Sequence, residues 1–252
     1  MSFFKKLFGT KETKEQKTES KEENISLYES VPWMTALRKQ TLSICLEAGF
    51  KPASSLPTEF DKQLRPAIHI ANRLNAIKAL VLWLMVPEED LPSEKILSFV
   101  AVNNLEDFIA GDEKTILSLS RNDEEARNGI GWKFENAWPL AWYFGYKEPD
   151  ILGEMMSGEQ MQDILSNYTC PLNEIVGEWI INKDTISEEE IVQKEDLFYC
   201  LHNAVRSAQL GSNTVPNGFD PIGNGGVIHE RRHSLTWMLS KDVVWDETDL
   251  ST

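Results

Sequence analysis

One long apolar segment constrains the fold of this chain more than any other stretch. Between about Asp61 and Val86, apolar residues recur at helical spacing, and from Ala79 onward every face of the segment is apolar. Pro66 falls near its predicted first turn and Pro87 just beyond its end. We therefore predict a helix whose second half lies at the centre of a core. Its apolar stripe consists of Ile70, Leu74, Ile77, Val81 and Leu84.

Other segments repeat the helical spacing, and none alternates apolar and polar residues persuasively enough to predict a sheet. Ser187 and Glu190 form a capping box ahead of the strongest of these segments, and Gly211 ends it. A loop or an exposed turn is expected from Arg121 to Asn128. The pattern predicts an all-α fold, a single globular multi-helix domain. Further helices are predicted from Pro32 to Gly49, Ser93 to Val102, Gly158 to Asn167 and Leu172 to Ile181, with short helical pieces at Asn104 to Ile109 and Lys114 to Leu119, broken by Gly111.

The segment from Trp132 to Tyr146 is the aromatic centre of the chain, with seven aromatic residues in fifteen positions. At helical spacing, such density is typical of a core-packing helix more than of an aromatic binding slot. Pro139 is expected to kink or interrupt this helix, because proline removes a backbone donor and clashes with the preceding turn. Glu135 is the carboxylate that this segment draws into an apolar setting.

The first 24 residues differ from the rest in composition. Residues 1–9, MSFFKKLFG, surround two lysines with apolar residues, and residues 10–24 contain no apolar residue at all. We expect a short basic amphipathic start and a disordered Lys/Glu-rich leader over residues 1–24. An acidic all-helical domain is expected over residues 25–252. Weak contact of residues 1–9 with a membrane surface stays open as an alternative.

The formal charge of −15 narrows the classes of partner. It argues against general nucleic-acid binding, which needs a surplus of Lys and Arg on at least one face. An unknown, basic protein partner fits the charge, and so does a solvated acidic surface that only keeps the protein in solution. The cysteines Cys45, Cys170 and Cys200 contain no C-x-x-C pair, which favours a reducing cytoplasm. No cofactor motif and no transmembrane segment are predicted.

His229, Glu230 and His233 form an H-E-x-x-H motif near the end of the chain. On a helix this spacing places two imidazoles on one face to hold zinc, with the glutamate as general base. Two arginines, Arg231 and Arg232, occupy the intervening positions, where they would repel a cation. No third ligand follows on an obvious second helix. We therefore interpret the motif as the polar start of a helix and keep a zinc-dependent hydrolase as the alternative.

A stretch from Ser212 to Gly226 rich in Gly, Asn and Pro leads directly into this motif. A glycine-rich turn before a helix can bind an anion, but this one follows a helix and lacks the lysine of a phosphate loop. We interpret it as a flexible connector.

Several short motifs occur in a characteristic order from Arg38 to the C-terminus. The first is the G-F-x-P element that ends at Pro52, and the last is the V-I-x-E-R-R-x-x-L-x-W segment that ends at Trp237. In this order the chain resembles a widespread, mostly bacterial family of domains of unknown function, number 4272 (DUF4272). The positions in between that carry the resemblance are Leu56, Pro57, Ile70, Ala71, Arg73, Leu74, Ala76, Trp132, Glu135, Trp138, Leu140, Trp142, Gly145, Glu195, Asp196, Leu197, Tyr199, His202 and Ala204, followed near the C-terminus by Trp245, Asp246 and Thr252.

The resemblance implies an all-helical domain with no assigned reaction, substrate or cofactor, and therefore no catalytic residues to carry over. In the family pattern Glu230 and Arg231 belong to the motif and the flanking histidines do not. Cys200 departs from the pattern by replacing an Arg-like position. Charged residues embedded in apolar helices must be paired, so we expect ion-pair networks inside the domain or lining a cleft. These residues are Arg73, Glu135, Asp196, Glu230 and Arg231.

Trp237, Trp245 and Asp246 complete the predicted polar and aromatic set. We expect them, with Glu230 and Arg231, to hold the last helix and the C-terminal tail against the aromatic segment. For function, we favour a non-catalytic cytoplasmic interaction protein, for instance an immunity-type protein that binds a basic partner by charge complementarity. The alternative is the zinc-dependent hydrolase built on His229, Glu230 and His233.

Overall fold

The computed structural model of the chain describes residues 32–58 and 62–252. Within these residues the chain forms eight α-helices joined by loops and single turns of 3₁₀ helix. The α-helices are α1 (Pro32–Glu47), α2 (Ala67–Met85), α3 (Ser93–Val102), α4 (Glu124–Tyr143), α5 (Gly158–Asn167), α6 (Val176–Trp179), α7 (Glu188–Gln209) and α8 (Gly223–Met238). The 3₁₀ turns are Leu105–Phe108, Gly111–Glu113, Ile116–Ser118, Ile180–Asn182 and Trp245–Glu247. The expectations for residues 1–24 lie outside the described residues.

Strand pairing contributes almost nothing to this fold. Over the two described ranges, β pairing is limited to one isolated parallel bridge between Gln63 and Ser240. The predicted all-α fold, one helical domain, is therefore confirmed. No helix in the described part of the chain is long and apolar enough to cross a membrane.

The central helix of the core is α2. Ala79, Leu80 and Leu84 have no solvent exposure, which confirms that its second half lies at the centre. The helix begins at Ala67, six residues later than predicted. The reason is Pro66, whose ring disfavours a helical conformation in the residue before it and whose own backbone is extended.

The helices pack so that α8 is enclosed on two sides. α8 packs against both α4 and α7, while α4 also contacts α2 and α7 also contacts α1. A helix with two long neighbours buries side chains on more than one face. Polar residues on α8 must therefore find partners inside the protein.

The start of α4 corrects the sequence prediction most clearly. The loop or exposed turn expected from Arg121 to Asn128 holds only for residues 121–123 and is wrong beyond them, because the helix begins at Glu124. Asp123 is its N-cap, and its carboxylate accepts a hydrogen bond from the backbone nitrogen of Ala126. Two glutamates in the first turn add favourable interactions with the helix dipole. These charged residues mark a helix start, not a loop.

Of the kink or interruption expected at Pro139, the interruption does not occur. The helix continues through it to Tyr143. The residues around Pro139 are buried against α2 and α8. Tertiary packing of this segment outweighs the loss of one backbone hydrogen bond at the proline.

Two smaller expectations also change, and three others are confirmed. The helix predicted from Leu172 to Ile181 is reduced to the single turn of α6 and a 3₁₀ turn. Gly111 begins a 3₁₀ turn of its own where a break was expected. The predicted helices from Ser93 and Gly158 are confirmed at their stated bounds, and the capping box of Ser187 and Glu190 starts α7.

The glycine-rich stretch before α8 is not a flexible connector at its end, because Gly223–Met238 is already helical. A Cβ atom on Gly225 would stand 2.6 Å from Cγ1 of Val205 on α7. A Cβ atom on Gly226 would stand 2.7 Å from the Trp132 ring of α4. Both distances are too short for a side chain, so these glycines allow α8 to approach its two neighbours closely.

Candidate functional site

The polar interior around α8 contains the residues that the sequence singled out, together with partners that it did not predict. Arg231 has no exposed surface and lies against α4. Its Nε donates to Oε2 of Glu135 at 2.8 Å, and its Nη2 lies 2.7 Å from the same oxygen. Its two terminal nitrogens also donate to the backbone oxygens of Asp150 and Glu154. The guanidinium stacks on the Trp138 ring, 4.4 Å from its centroid.

Glu135 is the anionic half of this pair and is also completely buried. Its Oε1 accepts a hydrogen bond of 2.7 Å from the backbone nitrogen of Met156. Burial raises the pKa of Glu135 above its ordinary value, and Arg231 partly offsets that rise. We call Glu135, Arg231 and their partners the Glu135–Arg231 site. Each of the three nitrogens of the Arg231 guanidinium group has an acceptor there.

Glu230 joins α8 to α4 one residue earlier. The Nδ2 of Asn136 donates to both Oε2 and the backbone oxygen of Glu230, each at 2.9 Å. The hydroxyl of Ser234 on α8 donates a second hydrogen bond between the two helices, to the backbone oxygen of Asn136 at 2.7 Å. Glu230 therefore has the side-chain amide of Asn136 as its hydrogen-bond partner.

The two histidines of the H-E-x-x-H motif face different elements. Nδ1 of His229 lies 3.3 Å from Nε2 of His202 on α7. Nε2 of His233 lies 3.0 Å from the backbone oxygen of Trp245, and its ring stacks on that tryptophan at 4.3 Å. In the described residues, no group of three or more His, Cys, Asp and Glu side chains is arranged to hold a metal ion.

The hydrogen bonds fix the tautomer of His202. Nη1 of Arg232 lies 2.6 Å from its Nδ1, and a guanidinium can only donate. Nδ1 of His202 is therefore the acceptor, its proton lies on Nε2, and that proton is donated to His229. Burial, followed by the charge of Arg232, lowers the pKa of His202 to about 3. Burial likewise lowers the pKa of His233 to about 4. Both rings are neutral at physiological pH.

Arg232 also holds the C-terminal tail. Its terminal nitrogens donate to the backbone oxygens of Leu250 and Ser251, at 2.7 and 2.9 Å. Its guanidinium lies 4.8 Å from the centroid of the Tyr199 ring on α7. The last residues of the chain are thus attached to the α7–α8 interface through backbone atoms.

Arg73 on α2 forms a second buried ion pair, with a carboxylate from the Gly111–Glu113 turn. Its Nη1 and Nη2 donate to the two oxygens of Glu113 at 2.6 and 2.7 Å. Lys133 lies 2.9 Å from the same carboxylate. Burial alone would raise the pKa of Glu113, but Arg73 and Lys133 outweigh it and lower the pKa to about 2.

A cleft of about 400 Å³ opens beside this pair. Four of its residues form a continuous series of contacts: the Arg65 guanidinium lies 4.1 Å from the Trp237 ring centroid, the tilted rings of Trp237 and Trp245 have centroids 5.3 Å apart, and the Arg73 guanidinium lies 3.9 Å from the Trp245 centroid. We call this the tryptophan cleft. Asp246 lies at its edge and accepts a hydrogen bond of 2.8 Å from the backbone nitrogen of Gly111.

Asp196 belongs to a third location, between α7 and α1. Nη2 of Arg38 donates to its Oδ1 at 2.6 Å, and Nη1 of Arg38 donates to the backbone oxygen of Leu56. Its neighbour Glu195 faces the other way, where it pairs with Lys62 and accepts from Thr236. The eight predicted residues are therefore divided among the Glu135–Arg231 site, the tryptophan cleft and this α1–α7 pair.

The structure adds residues that sequence reasoning missed: Arg38, Arg65, Glu113, Asn136, His202 and Arg232. Arg232 was visible as the second arginine of an adjacent pair. Side chains at adjacent helix positions diverge by about 100°, so both could be buried only if α8 had neighbours on two sides. Glu113 stands in a single 3₁₀ turn without any periodicity to reveal it.

The matching sequence profile is the one described as a domain of unknown function, DUF4272, and it covers residues 38–248. The chain belongs to the DUF4272 family. The resemblance found in the sequence is thereby confirmed, and the DUF4272 match contains all three locations described above. No significant match to the chain was found among curated proteins or among solved structures.

Proposed function

We propose that this DUF4272 domain is a non-catalytic interaction protein whose acidic exterior binds a basic protein partner, as an immunity-type protein does when it neutralises a toxin. The observation that carries the proposal is the separation of charge between interior and surface. Acidic side chains dominate the exposed surface of the described residues, while most arginines are buried. Exposed acidic runs include Glu88 to Asp90 and Glu188 to Glu190.

The buried arginines are Arg38, Arg65, Arg73, Arg231 and Arg232. Each is bonded to a carboxylate, a histidine or backbone oxygens inside the protein. At contact distance a partner therefore meets carboxylates and few guanidiniums. Complementary charge of this kind speeds association and rejects partners of like charge.

A groove of about 260 Å³ between α1 and α7 supports a specific contact face. Its apolar floor includes Leu37, Trp142 and Leu197, and its rim carries the carboxylates of Glu148 and Glu190. Lys194 of this chain already pairs with Glu148 and lies 5.9 Å from the Trp142 ring. This arrangement suits the aliphatic stem and charged end of a partner's lysine or arginine.

The test begins with capture of partners by the tagged full-length chain from cells of its source, followed by kinetics on the purified pair. We expect the association rate to fall steeply as salt rises. Replacing Glu148→Gln together with Glu190→Gln should weaken binding by about tenfold, since two exposed carboxylates contribute roughly 0.5–1 kcal/mol each. Glutamine keeps the capping geometry at position 190.

A matched control removes the same charge elsewhere, with Glu124→Gln and Glu125→Gln in the first turn of α4. These should change affinity by no more than about twofold. An equal loss in both double variants would refute the α1–α7 groove as the contact face. A partner that is acidic, or binding that ignores salt, would refute the charge-complementary function itself.

Elemental analysis separates the proposal from the alternative enzyme. Stoichiometric zinc in the purified protein, lost in both His229→Ala and His233→Ala, would replace the interaction function with a zinc-dependent hydrolase. The existing hydrogen bonds of His229 and His233 to different elements support the non-catalytic function.

A further inference from the structure

The α1–α7 groove lies next to the point where the described part of the chain begins. Leu37 and Ile44 of α1 line this groove together with Trp142 and Leu197. Leu37 follows Pro32, the first residue of α1, by about 8 Å along the helix axis. The residues that precede α1 therefore join the described fold beside the groove.

The size of the groove limits what it can hold. Its volume is about 260 Å³, which is room for about nine water-sized groups. One phenylalanine side chain with the end of one lysine fills such a space, whereas a whole peptide segment is too large for it. Leu37, Trp142 and Leu197 are buried hydrophobic residues, so they offer an aromatic ring an apolar surface.

The rim of the groove is negatively charged even after the lysine of the groove itself is counted. Lys194 pairs with Glu148. Glu190 accepts hydrogen bonds from Ser187 and has no cationic partner in the described part of the chain. Its neighbour Glu189 is also exposed. A ligand with a lysine of its own therefore meets carboxylate charge at the rim that this chain does not compensate.

Residues 1–9 of this chain contain the required combination of groups. The segment MSFFKKLFG places two lysines between phenylalanines, while residues 10–24 contain no apolar residue. Residues 10–31 connect the segment to α1, and a chain of that length spans up to about 70–80 Å when extended. A tether raises the effective concentration of its segment to the order of 1 mM, which is enough to populate a contact that is weak for a free peptide.

We propose that residues 1–9 dock in the α1–α7 groove of their own chain, with a phenylalanine side chain against Trp142 and Leu197 and a neighbouring lysine at Glu190. Docking removes apolar surface of the ring from water and places opposite charges together at the rim. This inference goes beyond the proposed function, because the occupant belongs to the same chain and docking needs no partner. The two share only the preference of the groove for a basic, apolar ligand.

A spin label near the start of the chain locates the segment. The full-length chain is prepared as Ser2→Cys, labelled with ¹⁵N and coupled to a nitroxide. The native cysteines Cys45, Cys170 and Cys200 have no exposed surface, so the nitroxide attaches at position 2. Paramagnetic broadening of backbone amide signals is measured against the same sample after the nitroxide is reduced with ascorbate.

We expect the broadening to be strongest at Gln40 and Gln193, two exposed residues that line the groove. Gly129 lines a second acidic cavity, of about 440 Å³, beside α4, and Lys241 lines the tryptophan cleft. The amide signals of both should keep their intensity. A mixture of ¹⁵N-labelled chain without the nitroxide and unlabelled chain with it should show no broadening, because docking is within one chain.

Variants separate the two parts of the contact without disturbing the core. Replacing Phe3, Phe4 and Phe8 together by serine should abolish the broadening at the groove. Glu148→Gln with Glu190→Gln should lower the paramagnetic relaxation rates at Gln40 and Gln193 about five- to tenfold, because two exposed carboxylates are removed. The matched control, Glu124→Gln with Glu125→Gln in the first turn of α4, should leave these rates unchanged.

The pattern of broadening decides the proposal. Signals at the groove that keep their intensity overturn it, and so does broadening centred on Gly129 or broadening that survives the triple serine variant. Equal broadening in the mixture makes a second copy of the chain the donor of the segment, and also overturns it. Co-sedimentation with phosphatidylglycerol vesicles, with the groove signals unaffected, assigns the segment to a lipid surface instead. No partner is present in these samples, so failure here leaves the proposed function standing.

Discussion

Two buried arginine–carboxylate pairs of this protein have nearly the same chemistry and different surroundings. Arg231 and Glu135 lie 2.7 Å apart with the arginine over Trp138, and Arg73 and Glu113 lie 2.6 Å apart with the arginine over Trp245. In the first pair each guanidinium nitrogen has an acceptor. In the second, Nε of Arg73 has none among the described residues, and a cleft adjoins it.

The difference teaches that a buried ion pair is poor evidence of function on its own. Burying two charges costs desolvation free energy. A pair whose nitrogens and oxygens are all hydrogen-bonded is accounted for by its role in connecting helices. The Glu135–Arg231 site meets that description, since it joins α4, α8 and the loop after α4. The tryptophan cleft does not, because its geometry leaves donors that protein groups do not satisfy.

The largest expected effect is a difference in stability between variants of the two arginines. Arg231→Ala leaves the Glu135 carboxylate buried without a cation, and should lower the free energy of unfolding by about 3–5 kcal/mol. Arg73→Ala should cost less, because Lys133 remains 2.9 Å from Glu113. Denaturant unfolding with a shared m value measures both. Equal losses would show that Lys133 does not compensate Glu113.

A smaller effect concerns acid sensitivity at His202. Its folded-state pKa of about 3 lies below the unfolded value of about 6.5, so the unfolded state binds the extra proton as pH falls. Stability should therefore decline below pH ~6.5, at up to about 1.4 kcal/mol per pH unit for this group. His202→Asn keeps an acceptor for Arg232 and should flatten the curve between pH 6.5 and 5. If His202→Asn leaves the slope of stability against pH unchanged, other groups cause the loss of stability in acid.

The two carboxylates should respond to pH with opposite signs. Glu113 has a lowered pKa, so its contribution is present above about pH 4.5 and is lost as pH falls toward 2, on the order of 3 kcal/mol in all. Glu135 has a raised pKa, so its ionisation costs stability as pH rises through that value. We therefore expect the two variants Glu113→Gln and Glu135→Gln to change the pH dependence of the free energy of unfolding in opposite directions relative to the parent. Denaturant unfolding at several pH values measures this dependence. The same direction for both would remove the contrast between the sites.

The smallest expected effect compares two indoles. Trp138→Phe removes the hydrogen bond to Lys147, whereas Trp237→Phe removes a donor that has no acceptor in the described residues. Both substitutions delete similar volume beside a stacked arginine. Trp138→Phe should therefore cost about 1 kcal/mol more than Trp237→Phe, measured in the absence of phosphate and carboxylate buffers. A larger loss for Trp237→Phe would indicate that its donor is satisfied.

Helical periodicity predicted most of the framework, and the misses have physical causes. α2 was recognisable because its stripe continues for several turns between two prolines. The start of α4 was missed because its first turn is charged and exposed, and it is stabilised by the Asp123 cap rather than by apolar contacts. Gly225 and Gly226 suggested flexibility, while the structure uses them for close helix contact, which a local pattern does not distinguish.

The candidate site was predictable only in part. Charged residues within apolar helices, such as Arg73 and Glu135, could be selected from sequence because burial demands a partner. The partner of Arg73 could not, because Glu113 lies 40 residues away in a short turn. The cleft itself depends on how α2, α8 and the C-terminal turn meet, and none of these contacts leaves a spacing in the sequence.

The arginines that hold loops suggest how this sequence can change over time. Arg38, Arg121, Arg231 and Arg232 donate to backbone oxygens in the segments that follow α1, α2, α4 and α8, respectively. A backbone oxygen is present whatever side chain the residue carries. The loops can therefore drift in residue type with little penalty, whereas an insertion or deletion would move the oxygen out of reach of its arginine. Loop length, more than loop composition, should be the trait that such arginines preserve.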